Sequence, residues 1–244
     1  MTDLKGKWVF ITGASRGLGK LAAEYMADMG CNLILHSREL SHTIPLAEKL
    51  RAKGVLVLSV AAELSDLNSV SKMLDEIDSF HVPVEVVLNN AGLQIAYRTD
   101  YYDTPINDYE ISFRVNTIAP MMICYHFLPM MEKSGFGRIV NTTSGIALEP
   151  EQAGYSASKA ALDKVTIDIA SKLKGSNVLI NLTDPGWCRT DLGGDKAPNS
   201  PESALPGILV GAFVNDGVSG RIFPAQDFAG LRLEDAVRKA ECIQ

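Results

Sequence analysis

The chain has 244 residues, 46% of them apolar and 21% charged, with 20 Gly, 11 Pro and 4 Cys. Such a composition excludes disorder, collagen and coiled coil, and leaves enough chain to bury a sizeable core. With 23 Lys+Arg against 29 Asp+Glu, a net −6, there is no chain-wide basic field for phosphate backbones or an anionic membrane surface, so neither nucleic acid nor membrane is expected as a partner.

The opening MTDLKGKWVFITG runs straight into an apolar segment without a basic-then-apolar leader, from which a cytoplasmic location is expected. Residues 8–12, 32–36, 55–60, 84–89, 138–143 and 178–182 read as strands, apolar at nearly every position, as strands covered on both faces must be. Between them, residues 18–29, 43–53, 68–80, 107–133 and 154–174 carry helical patterns of the length that right-handed crossovers need. Gly30, Gly54, Gly135 and Gly175 each follow a helix and precede a strand, the place of a left-handed helix cap. The β-α alternation predicts a single-domain Rossmann-type α/β fold, a doubly wound parallel sheet with helices on both faces. Past residue 183 the rhythm stops. Residues 183–206 are rich in Gly, Pro, Asp, Asn and Ser and read as a lid, with a substrate loop over about 191–206. The tail from about 225 is expected to be irregular, apart from a short amphipathic helix over 233–242.

Cys31, Cys124, Cys188 and Cys242 lie far apart with no CxxC, which predicts free thiols in a reducing compartment. His36, His42, His81 and His126 share no ligand spacing, so no metal is expected. The longest apolar stretches, 55–62 and 205–214, fall short of the ~20 residues of a membrane-crossing helix. The pairs Met121-Met122 and Met130-Met131, with Tyr125 and Phe127, read as core or as a helical subunit interface.

The first strand opens into Gly13-Ala-Ser-Arg-Gly17-Leu-Gly19 and then a helix. In that context glycines permit a tight turn and a close approach of backbone to a pyrophosphate, while the helix N-terminus supplies amides and positive dipole. The second strand ends His36-Ser37-Arg38. No acid stands there to accept from a ribose as in an NAD site. Arg38, with Arg16 from the glycine turn, can instead pair with a 2′-phosphate, which points to NADP(H). A solvated helix-cap role for Arg38, followed directly by Glu39, is the alternative.

Tyr155 and Lys159 lie four residues apart at the start of a long helical pattern, on one face. A cation held near a phenol favours phenolate and brings it towards proton exchange at neutral pH. Ser144 closes the fifth strand, where a parallel sheet places its ligands. Asn89-Asn90-Ala91-Gly92 closes the fourth, and Asn116 puts an amide inside a packing helix.

TGASRGLG at 12–19, NNAG at 89–92, Asn116, Ser144, YSASK at 155–159 and PG at 185–186 together resemble the short-chain dehydrogenase/reductase family, in its carbonyl-reductase or ketoreductase-like branch, over about residues 5–225. The resemblance implies that Tyr155 is the general acid in reduction and base in oxidation, that Lys159 lowers its pKa and bonds the nicotinamide ribose, that Ser144 orients the carbonyl, and that Asn116 kinks its helix and holds a water of the proton relay. It also implies cofactor contacts at Gly13, Ser15, Arg16, Leu18, Gly19, Ser37, Arg38, Asn90, Ala91 and Gly92, with Pro185, Gly186 and Thr190 at the carboxamide. It implies a homodimer or homotetramer formed through the two long helices. Glu63-Leu64 stands where the family has Asp-Val beside adenine, the ten residues between Ser144 and Tyr155 are slightly fewer than usual, and Trp187 is larger than its counterparts. Substrate contacts are expected from Ser144, Ile146, Leu148, Gln94, Trp187 and the following loop.

Three functions are consistent with these residues. The first is NADP(H)-dependent interconversion of a small or medium carbonyl and its secondary alcohol. The second is 3-oxoacyl reduction on an acyl carrier protein or CoA, which needs a basic docking patch beside the cleft, for which Lys133, Arg138, Lys172 and Lys174 are the candidates. The third is a non-catalytic NADP sensor, which would have no use for the Tyr–Lys pair.

Overall fold

The apolar runs form one seven-stranded sheet in the computed structural model, which describes residues 1–243. The strands are β1 (Trp8–Ile11), β2 (Asn32–Ser37), β3 (Val57–Ala61), β4 (Val84–Asn89), β5 (Gly137–Thr142), β6 (Val178–Asp184) and β7 (Ile222–Pro224). All pairs are parallel, in the order β3-β2-β1-β4-β5-β6-β7. The helices are α1 (Gly17–Asp28), α2 (Ile44–Arg51), α3 (Leu67–Ser79), α4 (Ile106–Phe113), α5 (Ala119–Ser134), α6 (Ala153–Lys172), α7 (Val210–Phe213) and α8 (Leu233–Glu241). Strand alternation divides the core between two faces. Val9 and Ile11 of β1 join the cluster under α1, α2, α7 and α8, while Trp8 and Phe10 join the one under α3, α5 and α6. This is the doubly wound fold the sequence predicts, and Gly30, Gly54, Gly135 and Gly175 all carry positive φ after their helices.

The order reverses at β1: β2 and β3 build outward on one side, and β4 returns to the other. A crevice must open between the C-terminal ends of β1 and β4, where the return connections part. Asn89 at the end of β4 donates to Asn141 Oδ1 of β5 at 2.8 Å, and Asn141 donates to Thr166 Oγ1 of α6 at 2.9 Å. This buried polar ladder fixes the register of strand ends and helix beside the crevice.

The helix expected over 107–133 runs from Ile106 to Ser134 and changes register at the kink implied for Asn116: α4 and α5 are joined by a π-turn over Arg114–Ile118 with Asn116 at its centre. Pro120, four residues after Asn116, has no N–H for the Asn116 carbonyl, so the ordinary register cannot close there. The segment 183–206 has bonds of its own. Cys188 pairs with Asn199 as a β-bridge, Arg189 donates to the carbonyls of Ala197 and Pro198 at 3.0 and 2.7 Å, and Trp187 Nε1 donates to Gly193 O at 2.7 Å.

The tail carries the short helix expected over 233–242, and the stretch before it, expected to be irregular, holds a 3-10 turn over Ala225–Phe228. α8 buries Leu233, Ala236, Val237 and Ala240 in the first core cluster. Buried Arg221 clamps it, forking onto Asp216 at 2.6 and 2.9 Å and donating to Ala240 O at 3.1 Å at the helix C-terminus. Removing Asp216 would strand a buried guanidinium, so Asp216→Asn is expected to cost about 3 kcal/mol. The check is the urea midpoint, which should fall at constant m-value.

Candidate active site

The C-terminal ends of β1, β2, β4, β5 and β6 surround one cavity of about 680 Å3 that runs from the glycine turn to Tyr155 and Lys159. At one end lies the turn before α1. Gly13 sits at φ 66°, in the left-handed region. Gly19 allows α1 to press onto that turn: a Cβ there would stand 2.2 Å from Gly13 O and 2.5 Å from Asn90 Nδ2, closer than any side chain tolerates. Asn90 donates to Thr12 O at 3.0 Å, and Ala91 N–H donates to Thr12 Oγ1 at 3.0 Å, so β4's end braces the turn.

The sequence reading missed His36, whose ring is buried at the end of β2. Its Nδ1 accepts from Gly13 N–H at 3.2 Å, its Nε2 contacts Ala62 O at 3.1 Å, and its carbonyl accepts from Ala14 N–H at 2.9 Å. Accepting at Nδ1 places the single proton on Nε2, so the ring is neutral; burial takes its pKa down to about 4. The parallel register of β1 and β2 puts this side chain opposite the glycine turn. Sequence offered a histidine ending a strand and no sign of its partner.

Ser15, Leu18, Ser37, Arg38, Glu63, Leu64, Asn90, Ala91, Gly92, Gln94, Pro185 and Thr190 line the cavity with Gly13 and Arg16. Arg38 is exposed at the mouth, and Glu39 approaches His42 at 3.7 Å. Arg16 bonds Asp191 at 2.8 Å across the mouth, tying the glycine turn to the loop after β6. The Glu63 carboxylate bends back onto Ser65, accepting from its N–H and hydroxyl at 2.9 Å each. Ile146 is half-buried and Trp187 exposed, and neither belongs to the cavity wall.

At the other end Tyr155 and Lys159 occupy the first turns of α6, both buried. Lys159 Nζ donates to Thr142 O at 2.7 Å, at the end of β5, and lies 6.0 Å from the centre of the Tyr155 ring. Desolvation pulls the lysine down to about 8, opposed by the charges of Asp163 and then Asp184. The phenol is moved the other way. Burial raises its pKa, the Ser144 hydroxyl holds it down, and Asp184 adds to the rise. In the chain by itself the phenol thus keeps its proton at neutral pH.

Asn116 is fully used in holding this end together. Its Oδ1 accepts from Leu93 N–H at 2.8 Å, and its Nδ2 donates to Leu93 O at 2.8 Å and to Ser158 Oγ at 3.0 Å. Ser158 in turn donates to Tyr155 O at 2.7 Å. Asp184, unpredicted, pins two loops: its Oδ1 accepts from Gly186 N–H at 2.9 Å and its Oδ2 from Gly145 N–H at 3.0 Å. The docking patch needs correction. Arg138 is wholly buried and bonded to the carbonyls of Val214 and Asn177. Lys133 and Lys172 lie in the last turns of α5 and α6, and Lys174 just after α6, at the N-terminal edge of the sheet, and Lys172 lies about 25 Å along α6 from Tyr155.

Among the described residues no helix is long and apolar enough to cross a membrane, and no three His, Cys, Asp or Glu side chains gather as a metal site.

The family model described as short chain dehydrogenase matches residues 7–200. An NADPH-dependent aldehyde reductase-like chloroplastic protein of Arabidopsis thaliana is 28% identical, over 91% of this chain and 93% of its own. Several longer curated relatives are spanned to 65% of their length. The crystal structure of a 3-oxoacyl (acyl-carrier-protein) reductase from Agrobacterium tumefaciens with NADP bound has a TM-score of 0.73 at 28% identity, covering 93% of this chain and 86% of that one. A short chain dehydrogenase/reductase from Burkholderia phymatum in complex with NAD has a TM-score of 0.71 at 29% identity, covering 79% and 69%.

The close approach at Gly19 makes the turn intolerant of a side chain. Gly19→Ala is expected to weaken dinucleotide binding at least about tenfold, or about 1.4 kcal/mol, in a fluorescence titration, with a lowered thermal midpoint.

Proposed function

This chain belongs to the short chain dehydrogenase family of oxidoreductases, and we propose that it moves hydride between NADP(H) and a small or medium carbonyl or secondary alcohol, with Tyr155 as general acid and base. One observation carries the reading: a buried Tyr155–Lys159 pair shares a cavity of about 680 Å3 with a preformed glycine turn. A dinucleotide suits that cavity, because Gly13, Ser15, Arg16, Gly17 and Leu18 line it at the N-terminus of α1, where amides and dipole suit a pyrophosphate.

When bound, the dinucleotide supplies or takes up the hydride at its nicotinamide ring. The turn from Gly13 to Gly19 would hold its phosphates, with Asn90, Ala91 and Gly92 along its flat side and Pro185, Gly186 and Thr190 at the carboxamide. Exposed Arg38 and the Ser37 hydroxyl would receive a 2′-phosphate; Arg16 must first leave Asp191 to join them. In reduction Tyr155 Oη gives its proton to the substrate oxygen, which Ser144 holds in place, and in oxidation it takes that proton back. The raised phenol suits the first role. The Lys159 ammonium favours phenolate in the second, aided by the positive charge of the oxidised ring. Gln94 at the cavity wall, with Ile146 and Trp187 on the loops beyond, would meet the rest of the substrate.

The Agrobacterium neighbour favours a second reading, 3-oxoacyl reduction. Against carrier-protein docking stands the position of Lys133, Lys172 and Lys174 at the far end of the sheet, with Arg138 buried. A site that keeps Asn116, Ser144, Tyr155 and Lys159 together speaks against a non-catalytic sensor. Tyr125 of α5 and Ile167 of α6 are exposed apolar side chains that suit a contact with a second copy of the chain, and a cytoplasmic homo-oligomer is part of this proposal.

Tyr155→Phe is expected to lower kcat by about 10²–10⁴-fold in a panel of carbonyls followed by NADPH absorbance, while the dinucleotide Kd stays unchanged. A variant that keeps its rate would remove the acid–base assignment. Arg38→Ala should weaken NADPH about tenfold, or about 1.4 kcal/mol, and NADH hardly at all; equal losses would overturn the preference for NADP(H).

A further inference from the structure

The carboxyl of Asp163 has no part in the reading above. It stands on α6 one turn beyond Lys159, as Lys159 stands one turn beyond Tyr155, so the three share one face of the helix. The other acid that acts on Lys159, Asp184, already has both oxygens engaged by the N–H groups of Gly145 and Gly186. Asp163 differs. Its Oδ1 is sealed from solvent and makes no hydrogen bond of good geometry; the Thr143 hydroxyl at the end of β5, likewise without one, stands close enough to favour the carboxylate.

A sealed, unbonded carboxylate oxygen is costly unless a charge offsets it. Burial raises the Asp163 pKa; the Thr143 hydroxyl and then the charge of Lys159 favour the carboxylate against it, and the charge of Asp184 adds to the rise. The relation is mutual. Lys159 makes one hydrogen bond within the chain, to Thr142 O, and its burial is opposed by Asp163 before Asp184. An ammonium and a carboxylate one turn apart, each short of partners, lower each other's cost of burial.

We propose that Asp163 is a positioning residue for the reaction: its carboxylate is the counter-charge of the Lys159 ammonium, and it acts on Tyr155 and the dinucleotide only through that lysine. The proposal rests on the acid–base reading of Tyr155 and Lys159. It separates charge from shape. An amide at 163 would fill the same space and offer Thr143 more hydrogen bonds than the acid does, so a packing role survives Asp163→Asn and a charge role does not.

The test compares the wild type with Asp163→Asn and, should that variant fold poorly, Asp163→Ser. Two pH titrations are followed from about pH 6 to 10: kcat/KM for carbonyl reduction, and the Cε resonance of Lys159 in 13C-lysine-labelled protein, assigned by its loss in Lys159→Met. In the wild type the resonance should titrate near pH 8, and the basic limb of kcat/KM should follow it. In Asp163→Asn both should move to lower pH by about one unit, with thermal midpoint at neutral pH unchanged or raised. A lowered midpoint with resonance and limb in their wild-type places would overturn the proposal in favour of packing. If Tyr155→Phe kept its rate, the acid–base reading would fall while the Lys159 resonance still decided whether Asp163 is its counter-charge.

Discussion

A lysine ammonium closed off at the end of a parallel sheet is the constraint around which the rest of this site is arranged. Burying it takes the Lys159 pKa from 10.5 to about 8. A charge so placed needs acceptors and acids at short range: the Thr142 carbonyl at the end of β5, Asp163 on its own helix and Asp184 at the end of β6. Those acids are not neutral with respect to chemistry. Asp184 raises the Tyr155 pKa further above what burial does, so the group that helps Lys159 stay charged keeps the phenol protonated. In the chain by itself the Tyr155 phenol therefore keeps its proton at neutral pH.

The same side chains explain why the loops of the site hold their places. Asp184 bonds the N–H groups of Gly145 and Gly186, tying the segment that carries Ser144 to the turn where the nicotinamide end would lie. Asn116 does this for the opposite wall, joining Leu93 after β4 to Ser158 on α6. It can do so because the π-turn at 114–118 rotates its side chain relative to a regular helix. A polar group that bonds two elements is worth more for geometry than for stability, since its net contribution is about 1 kcal/mol per bond while its loss frees both elements.

Most of the fold was legible because it depends on short-range patterns. Runs such as 84–89 and 178–182 are apolar throughout, and they became β4 and most of β6. Gly13, Tyr155 and Lys159 were legible for the same reason: a turn and a helical repeat fix them locally. The π-turn had a local signal too, Pro120 four residues after Asn116, but a proline near the start of a helix looks ordinary until the broken bond is counted. What sequence could not give was set by register across distant strands. His36 meets Gly13 only because β2 lies beside β1, Asp184 reaches Gly145 only across β5 and β6, and Arg221 finds Ala240 nineteen residues later. The supposed docking patch failed for a related reason. Four cations that seemed near the cleft in sequence belong to the N-terminal edge of the sheet, because each ends or follows a helix or opens a strand instead of closing one.

The glycine turn shows how such distant contacts prepare a site before any ligand arrives. Its backbone is held by Thr12 and Asn90 from one side and by His36 from the other, so little ordering remains to be done on binding. The His36 contribution has a definite pH window. Its folded pKa, about 4, lies below the ordinary 6.5, so the unfolded chain binds the proton more readily and the stability this ring supplies is complete above pH 6.5 and lost as pH falls towards 4. Protonated, Nδ1 becomes a donor and can no longer accept from Gly13 N–H. The turn that would receive the phosphates is thus held by a neutral ring at neutral pH, where Lys159 is charged, and only acid near pH 4 would release it.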